Sequence, residues 1–186
     1  LHHSLQALNV SLGNKLSVYH GDPQTILDDI LKRFDVSAVY WNRCYEPWRI
    51  HRDTLIKENL KARGIEIYTF NGSLLWEPWN IKKDDGTPYK VFTPFYRRGC
   101  LNFSEPRYPL LAPTTANYTY DLCEIGLDKL DLLPKIPWDK QFNNLWGIGE
   151  KGALKRFENF AGEGISFYKE GRNIPAKPYV SRLSPY

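Results

Sequence analysis

The chain has 186 residues, of which 42% are hydrophobic and 25% are charged, and its formal net charge is +4. This length suits one well-buried domain with appendages, and the balanced composition excludes an intrinsically disordered chain. No apolar run approaches the roughly 20 residues that a transmembrane helix needs, so the sequence predicts a soluble protein without a membrane partner.

The chain contains no methionine, although translated chains begin with one, and we therefore expect that it has been cut from a longer protein. Its cysteines are odd in number and lack paired metal-ligand spacing, which favours a reduced, cytoplasmic compartment. The histidines show no metal spacing either, so no metal site is predicted and they are interpreted as structural or exposed. These residues are Cys44, Cys100 and Cys123, and His2, His3, His20 and His51.

The hydrophobic pattern alternates between helices and strands over the first third of the chain. Strands that alternate with helices of this length predict an α/β fold, with a Rossmann-like parallel sheet and flanking helices. Since a helix in such a series normally follows a strand, we expect that the first strand is missing. The predicted elements are a helix over residues 1–13, a strand at 16–20, a helix at 23–34, a strand at 36–40, a helix at 47–63 ended by Gly64, and a strand at 65–68.

The second half of the chain is less periodic. Thr93 is predicted to cap a helix that has Pro94 at its first helical position. Several prolines beyond Phe103 indicate an interdomain linker, and Glu150 then opens a helix with an apolar face. The predicted organisation is an α/β domain over residues 1–103, a linker over 104–146, and the truncated start of an all-helical domain over 147–186.

Five segments distinguish this sequence from other α/β proteins. No G-x-G-x-x-G fingerprint or phosphate-binding loop follows any predicted strand, so the sheet alone names no ligand. In chain order, however, the five segments resemble the photolyase/cryptochrome family, and the similarity covers essentially the whole chain. They are residues 40–48 (YWNRCYEPW), 70–78 (FNGSLLWEP), 89–95 (YKVFTPF), 132–138 (LLPKIPW) and 181–185 (SRLSP).

The resemblance identifies the chain as similar to class I cyclobutane pyrimidine dimer photolyases, as an N-terminal fragment without most of the FAD domain. It implies an α/β domain for an antenna chromophore and a larger helical domain for a U-shaped FAD. The implied function is that of a deoxyribodipyrimidine photo-lyase, a carbon–carbon lyase that uses light and reduced FAD to reverse dimers flipped out of damaged DNA. Because an FAD pocket needs several helices, the fragment itself is expected to bind no FAD and to be inactive.

The resemblance also implies site residues near the end of the chain, although no catalytic residue is expected within it. Tyr168 matches a position that presents an aromatic ring to the flavin, and Arg172 matches a basic residue that contacts DNA. Hydroxyl side chains beside an arginine suit the doubly anionic FAD pyrophosphate. The residues that match the loop around the pyrophosphate and ribityl chain are Val180, Ser181, Arg182, Leu183 and Ser184, where Val180 replaces the hydroxyl residue common in the family.

These residues also allow structural interpretations, which the sequence leaves open. Tyr168 could be a core aromatic, and Arg172 a surface charge paired with Glu170. The alternative for the loop is that Ser181 and Ser184 cap helices and that Arg182 is a solvated charge.

The antenna loop is assigned, again by resemblance, to Glu46, Trp48 and Arg49. Family members that carry a folate antenna have an Asn-Glu pair where this sequence has Trp48 and Arg49. That departure argues against folate and leaves a deazaflavin, a flavin or no antenna open. The structural alternative is a helix start with Pro47 in its first turn and Trp48 packed in the core.

Two other functions remain open beside the lyase. One is a cryptochrome blue-light photoreceptor without repair activity, and the other is a stand-alone α/β nucleotide-binding module. For the fragment, we expect residues beyond about Trp146 to be poorly packed or to self-associate with another copy, because their apolar face lacks a partner.

Overall fold

Two parallel strands form the sheet of this protein. The computed structural model describes residues 1–114 and 116–183, apart from the side chains of residues 143 and 144. In it, β1 is Ala38–Asn42 and β2 is Glu66–Phe70, with Ala38 opposite Glu66. The predicted parallel sheet is confirmed, although both strands begin and end slightly later than expected.

A 16-residue helix, α3 (Pro47–Ala62), connects the two strands. It begins with proline at its first position. The N–H that proline lacks would have no partner within the helix at that position, so nothing is lost. Beyond its end, Gly64 has a φ of +75°, a left-handed conformation that favours glycine. Both signals were predicted from the sequence, and the helical crossover is what allows the strands to run parallel.

The buried apolar side chains of this region include two on α3. Ile56 is 7% exposed and Leu60 is completely buried, and α3 packs against β2. Ile81 and Cys100, from the chain after β2, are also buried. Burial on one face of α3 therefore fixes the helix against the sheet.

The helix before β1, α2, spans Pro23–Arg33. Asp22 precedes it, and its carboxylate accepts a hydrogen bond from the Thr25 backbone N–H at 2.9 Å. This contact satisfies one of the free N–H groups of the first turn. The predicted turn into this helix is therefore confirmed, and Asp22 is its cap.

After β2, a short helical stretch begins with α4 (Phe92–Pro94). It continues as a π-helical segment, Phe95–Gly99, and a 3-10 turn, Cys100–Asn102. The predicted capping role of Thr93 is wrong, because Thr93 lies inside the first turn. Val91 precedes the helix in an extended conformation and makes no side-chain cap. Pro94 is tolerated because a first-turn residue needs no N–H donor.

The chain divides into two compact units. The central unit is Asp22–Thr114 and holds the elements above, and the split unit combines Leu1–Gly21 with Thr115–Tyr186. In the split unit, α1 (His2–Ser11) packs against α5 (Gly149–Asn159). The division into residues 1–103, 104–146 and 147–186 stays a prediction.

The strand predicted at residues 16–20 is not a strand in the structure. This segment is held by a loop of the split unit instead. The Val18 N–H donates to the Glu124 carboxylate at 3.1 Å, and the Val18 carbonyl accepts from the Ile125 N–H at 2.9 Å. The hydrophobic pattern predicted an extended segment correctly, but one of its partners is a side chain rather than a neighbouring strand.

The remaining helices belong to the split unit. α5 begins at Gly149, one residue before the predicted start, and the chain continues through short turns to α6 (Tyr168–Gly171). In the described part of residues 104–146 the helical elements are two 3-10 turns, Leu127–Leu130 and Lys140–Asn144. None of the helices in the described ranges is long and apolar enough to cross a membrane.

The packing of α3 predicts a difference between two leucines on that helix. Leu60→Ala removes a fully buried side chain and should lower the free energy of unfolding by about 2–5 kcal/mol in urea titration. Leu55 is 51% exposed, so Leu55→Ala should cost less than about 1 kcal/mol. Equal losses for the two variants would contradict the described orientation of α3.

Candidate functional site

A buried carboxylate joins two loops at the carboxyl end of the sheet. Arg43 directly follows β1, and its backbone N–H donates to the Phe70 carbonyl, the last residue of β2, at 2.9 Å. Its guanidinium donates to the Thr69 carbonyl at 2.5 Å and, through both Nε and Nη2, to Glu77 Oε1. The other carboxylate oxygen of Glu77 accepts from the Tyr45 hydroxyl at 2.6 Å. Glu77 thus contacts both partners at once.

The protonation states of this cluster follow from its surroundings. Burial lowers the pKa of Arg43, but the hydrogen bonds to Glu77 and Tyr45 raise it by more, so the guanidinium stays charged. Burial also raises the pKa of the Tyr45 hydroxyl, and its hydrogen bond to Glu77 raises it further. Tyr45 therefore remains a hydrogen-bond donor at neutral pH.

An indole ring lies beside the cluster. The centroid of Trp79 is 5.8 Å from the guanidinium carbon of Arg43 and 6.2 Å from the centroid of the Tyr45 ring. The Trp79 side chain remains 52% exposed. One side of the indole is thus held by a cation and a ring, while the rest is accessible to a flat ligand.

The predicted antenna residues lie at the start of α3 and follow Tyr45 directly in the chain. Glu46 directly precedes the helix and pairs with Arg49 at 3.4 Å. The Arg49 guanidinium also contacts the Cys44 sulfur at 3.7 Å and lies 5.0 Å from the Trp48 ring centroid. The structure therefore brings all three predicted residues together on one exposed surface.

Trp48 is 62% exposed, so its interpretation as a core residue is wrong, while the interpretation of Pro47 as a helix start is confirmed. The reason is the position of Trp48 at the second residue of α3, on the side that carries charges. Arg52, one turn later, also lies 5.5 Å from its ring. Both arginines are themselves paired with carboxylates, Arg49 with Glu46 and Arg52 with Asp53 at 2.7 Å, so the surface offers an exposed ring held by guanidinium groups and no excess of positive charge.

Near the end of the chain, Tyr168 and Arg172 lie one turn apart. The Tyr168 ring is 43% exposed, so it is not a core aromatic, and it packs edge-on against Phe160 at 6.0 Å. Arg172 is exposed and its guanidinium lies 5.8 Å from the Tyr168 ring centroid. In the described ranges Arg172 makes no ion pair, so the expected alternative pairing with Glu170 is not present.

The predicted FAD loop follows as irregular backbone. Residues 180, 181 and 183 are half-buried, whereas Arg182 is exposed, has a φ of +51° and donates to the Pro175 carbonyl at 3.3 Å. Within residues 116–183, the Ser181 hydroxyl and the N–H groups of residues 180–183 have no hydrogen-bond partner. This donor set fits a pyrophosphate. Ser184 lies outside the described residues.

A polar cavity of about 150 Å³ lies in the split unit, where Asn9, Tyr120 and Glu124 are among its lining residues. Glu124 accepts hydrogen bonds from the Tyr120 hydroxyl and from the N–H groups of Val18 and Gly126. These bonds, that from Tyr120 above all, hold the pKa of Glu124 below its usual value although burial opposes them. The carboxylate is occupied internally, so this cavity is interpreted as structural.

Sequence reasoning missed Glu77 and Trp79, and it gave no role to Arg43 or Tyr45. All but Trp79 lie inside the segments that carried the family resemblance, where they served only as markers. The available signal was the position of these segments directly after parallel strands, where ligands of α/β proteins bind. The pairing of two distant segments through one carboxylate requires the fold and is not visible in either segment alone.

The fold defines an α/β protein whose candidate site lies at the carboxyl end of a parallel sheet. The family model for DNA photolyase matches residues 1–114 of the chain. The chain therefore belongs to the DNA photolyase family.

Two curated relatives and one solved structure illustrate the similarity. The chain is 38% identical to a deoxyribodipyrimidine photo-lyase of Agrobacterium fabrum, over 100% of this chain and 40% of the relative. It is 36% identical to cryptochrome-1 of Arabidopsis thaliana, over 98% of this chain and 27% of the relative. A bacterial class III photolyase from Agrobacterium tumefaciens superposes with a TM-score of 0.81 at 36% identity, covering 99% of this chain and 39% of that chain.

The chain thus spans about two fifths or less of the length of these proteins. The family and the α/β fold expected from the sequence are confirmed. The narrower assignment to class I stays a prediction, and the solved relative above is described as a class III enzyme.

The contacts of Glu124 predict a pH-dependent contribution to stability. A carboxyl whose pKa is lowered by folding stabilises the protein above its usual pKa of 4.5, and this stabilisation is lost as the pH falls through the lower folded value. Glu124→Gln should therefore reduce the free energy of unfolding by about 1 kcal/mol at neutral pH and by progressively less in acid. Glu163→Gln, at an exposed position, is the control. A loss that is constant with pH would refute this role.

Proposed function

We propose that this chain serves in a light-driven lyase that reverses cyclobutane pyrimidine dimers in DNA with reduced FAD. The observation that carries the proposal is the match of the DNA photolyase family to residues 1–114. The 38% identity to a deoxyribodipyrimidine photo-lyase across the whole chain supports the same activity. FAD would supply the electron that opens the dimer, and the residues of this chain would bind and position the reactants.

The contribution to FAD binding would come from the loop at residues 180–184. Its backbone N–H groups and the Ser181 hydroxyl would donate to the pyrophosphate, and Arg182 would add a positive charge. Val180 has no hydroxyl and would contribute only its N–H and packing. Tyr168, with an accessible ring, would pack near the flavin and shield it from water.

Arg172 would contact the damaged DNA. Its guanidinium is exposed and has no carboxylate partner in the described ranges, so it is available to a phosphate. The Tyr168 ring below it would restrict the orientations of the guanidinium. A contact of this kind positions the DNA backbone and does not read its sequence.

The antenna would lie at the surface of Glu46, Trp48 and Arg49. An exposed indole held by two guanidinium groups suits a flat aromatic chromophore, a description that deazaflavin, flavin and folate antennas all meet. The replacement of the family's Asn-Glu pair still argues against the usual folate contacts. The identity of the antenna is therefore an experimental question.

A cryptochrome function is the second candidate, since the chain is 36% identical to cryptochrome-1 of Arabidopsis thaliana. A photoreceptor would retain FAD and the α/β domain but would transmit the light signal to a partner instead of repairing DNA. The residues named above would serve both functions, so an assay of DNA repair is what distinguishes the lyase from the photoreceptor.

We also propose that the isolated chain self-associates through the split unit. Leu154 and Phe157 lie on α5 and are each 53% exposed, and Phe167 is 57% exposed. Apolar surface of this kind favours pairing with another copy. Sedimentation at increasing protein concentration should show a rising mass, and a constant monomer mass would refute the pairing.

The test of the lyase proposal is repair of a dimer-containing oligonucleotide by a family-length protein that includes these 186 residues. With FAD bound and reduced, blue light should restore intact pyrimidines, and darkness should not. FAD binding without repair would contradict the lyase and support the photoreceptor.

Arg172 provides a sharper prediction in the same protein. Arg172→Ala should weaken binding to dimer-containing duplex, and the slope of log affinity against log salt should fall by about 1, the effect of one lost phosphate contact. Arg63, which is paired with Asp28 at 2.7 Å, gives the charge-matched control Arg63→Ala. An unchanged slope for Arg172→Ala would exclude Arg172 from the DNA contact.

A further inference from the structure

We propose that Glu77 is a positioning residue of the antenna region, which orients Trp79 and holds the loop after β1 for an aromatic chromophore. The inference deepens the proposed function and rests on it, because the antenna itself belongs to that proposal. Glu77 does not contact the predicted antenna residues, so it would act through its partners.

The first step is that Glu77 joins two loops that come from different strands. Arg43 and Tyr45 belong to the loop that follows β1 and leads to Glu46, whereas Glu77 belongs to the loop after β2. Each carboxylate oxygen of Glu77 accepts from one of these partners, Oε1 from the Arg43 guanidinium and Oε2 from the Tyr45 hydroxyl. Glu77 therefore bridges the two loops, in addition to the bonds that Arg43 makes to the Thr69 and Phe70 carbonyls.

The second step is that the contact is shielded from water. Glu77 is 8% exposed, and a charge-assisted hydrogen bond is strongest where water does not compete. Close by, the loop after β2 approaches the end of β1 so tightly that a Cβ on Gly72 would lie 2.3 Å from the Asn42 side chain. Little room is left for the loop after β2 to move at this end of the sheet.

The third step connects Glu77 to an accessible aromatic ring. Trp79 follows Glu77 by two residues and lies against both of its partners, at 5.8 Å from Arg43 and 6.2 Å from Tyr45. The carboxylate fixes the Tyr45 hydroxyl and, together with the Thr69 carbonyl, the Arg43 guanidinium, so both partners of the indole depend on it. The half-exposed ring is then pre-oriented, which lowers the entropic cost of stacking a flat ligand on this region.

The experiment compares three variants of the 186-residue chain. Glu77→Gln removes the charge but keeps the shape, Glu77→Asp keeps the charge, and Glu66→Gln is the control. Glu66 lies in β2 and also accepts a tyrosine hydrogen bond, from Tyr68, but at an exposed position. Far-UV circular dichroism verifies that each variant folds.

Two measurements are made on each variant. The first is the fluorine spectrum of chain labelled with 5-fluorotryptophan, in which Trp79→Phe identifies the Trp79 signal. The second is the affinity for three probes, which are flavin mononucleotide, an 8-hydroxy-5-deazaflavin and methenyltetrahydrofolate, measured by fluorescence.

Glu77→Gln should shift or broaden the Trp79 signal while the signals of Trp138 and Trp146 in the split unit stay unchanged. The affinity for whichever probe binds the wild type should fall about three- to tenfold, because the ligand would then have to order the Trp79 ring itself. Glu77→Asp should recover part of both effects, and Glu66→Gln should change neither.

An unchanged Trp79 signal and unchanged affinity in Glu77→Gln, with a probe that binds the wild type, would overturn the role of Glu77 alone. Failure of all three probes to bind the wild-type chain would overturn the antenna assignment and this proposal together. A change in all tryptophan signals would show a general structural role and would also overturn it. None of these outcomes involves DNA repair, so they are independent of success or failure of the lyase proposal.

Discussion

The contact between the Glu77 carboxylate, Arg43 and Tyr45 is the constraint on which the carboxyl end of the sheet depends. A carboxylate that is 8% exposed is stable there only with donors on both oxygens, and the two donors come from the loop that follows the neighbouring strand. Because Arg43 also donates to the Thr69 carbonyl, the ends of both strands and the loops that follow them are connected by hydrogen bonds. The placement of Trp79, and the path of the chain into α3, follow from it.

The sequence predicted the regular part of this fold well, and physical reasons explain where it did not. Hydrophobic spacing with Pro47 and Gly64 at the helix ends predicted α3 closely, since these signals are local. The segment at residues 16–20 has the same kind of pattern, but a strand also requires a neighbouring strand, and Val18 finds the Glu124 carboxylate instead. Pairing partners are a property of the fold, which local spacing does not contain.

The candidate site shows the same division. Family resemblance placed Glu46, Trp48 and Arg49 at the antenna surface, and the structure brings them together around an exposed indole. Glu77 was not predicted, because a glutamate in a loop has no local signal of burial, and its role depends on two partners more than 30 residues earlier in the chain. Resemblance can thus point to residues that are expected to bind a ligand, whereas a contact between distant segments becomes visible only in the fold.

The most direct measurement of the central constraint is a double-mutant cycle of Glu77→Gln and Tyr45→Phe, with free energies of unfolding from urea titration. If the carboxylate holds Tyr45 as described, the double mutant should lose less free energy of unfolding than the sum of the two single mutants, with a coupling free energy of about 1 kcal/mol or more. Strictly additive losses would contradict the account, because they would mean that Glu77 and Tyr45 do not share a contact in solution.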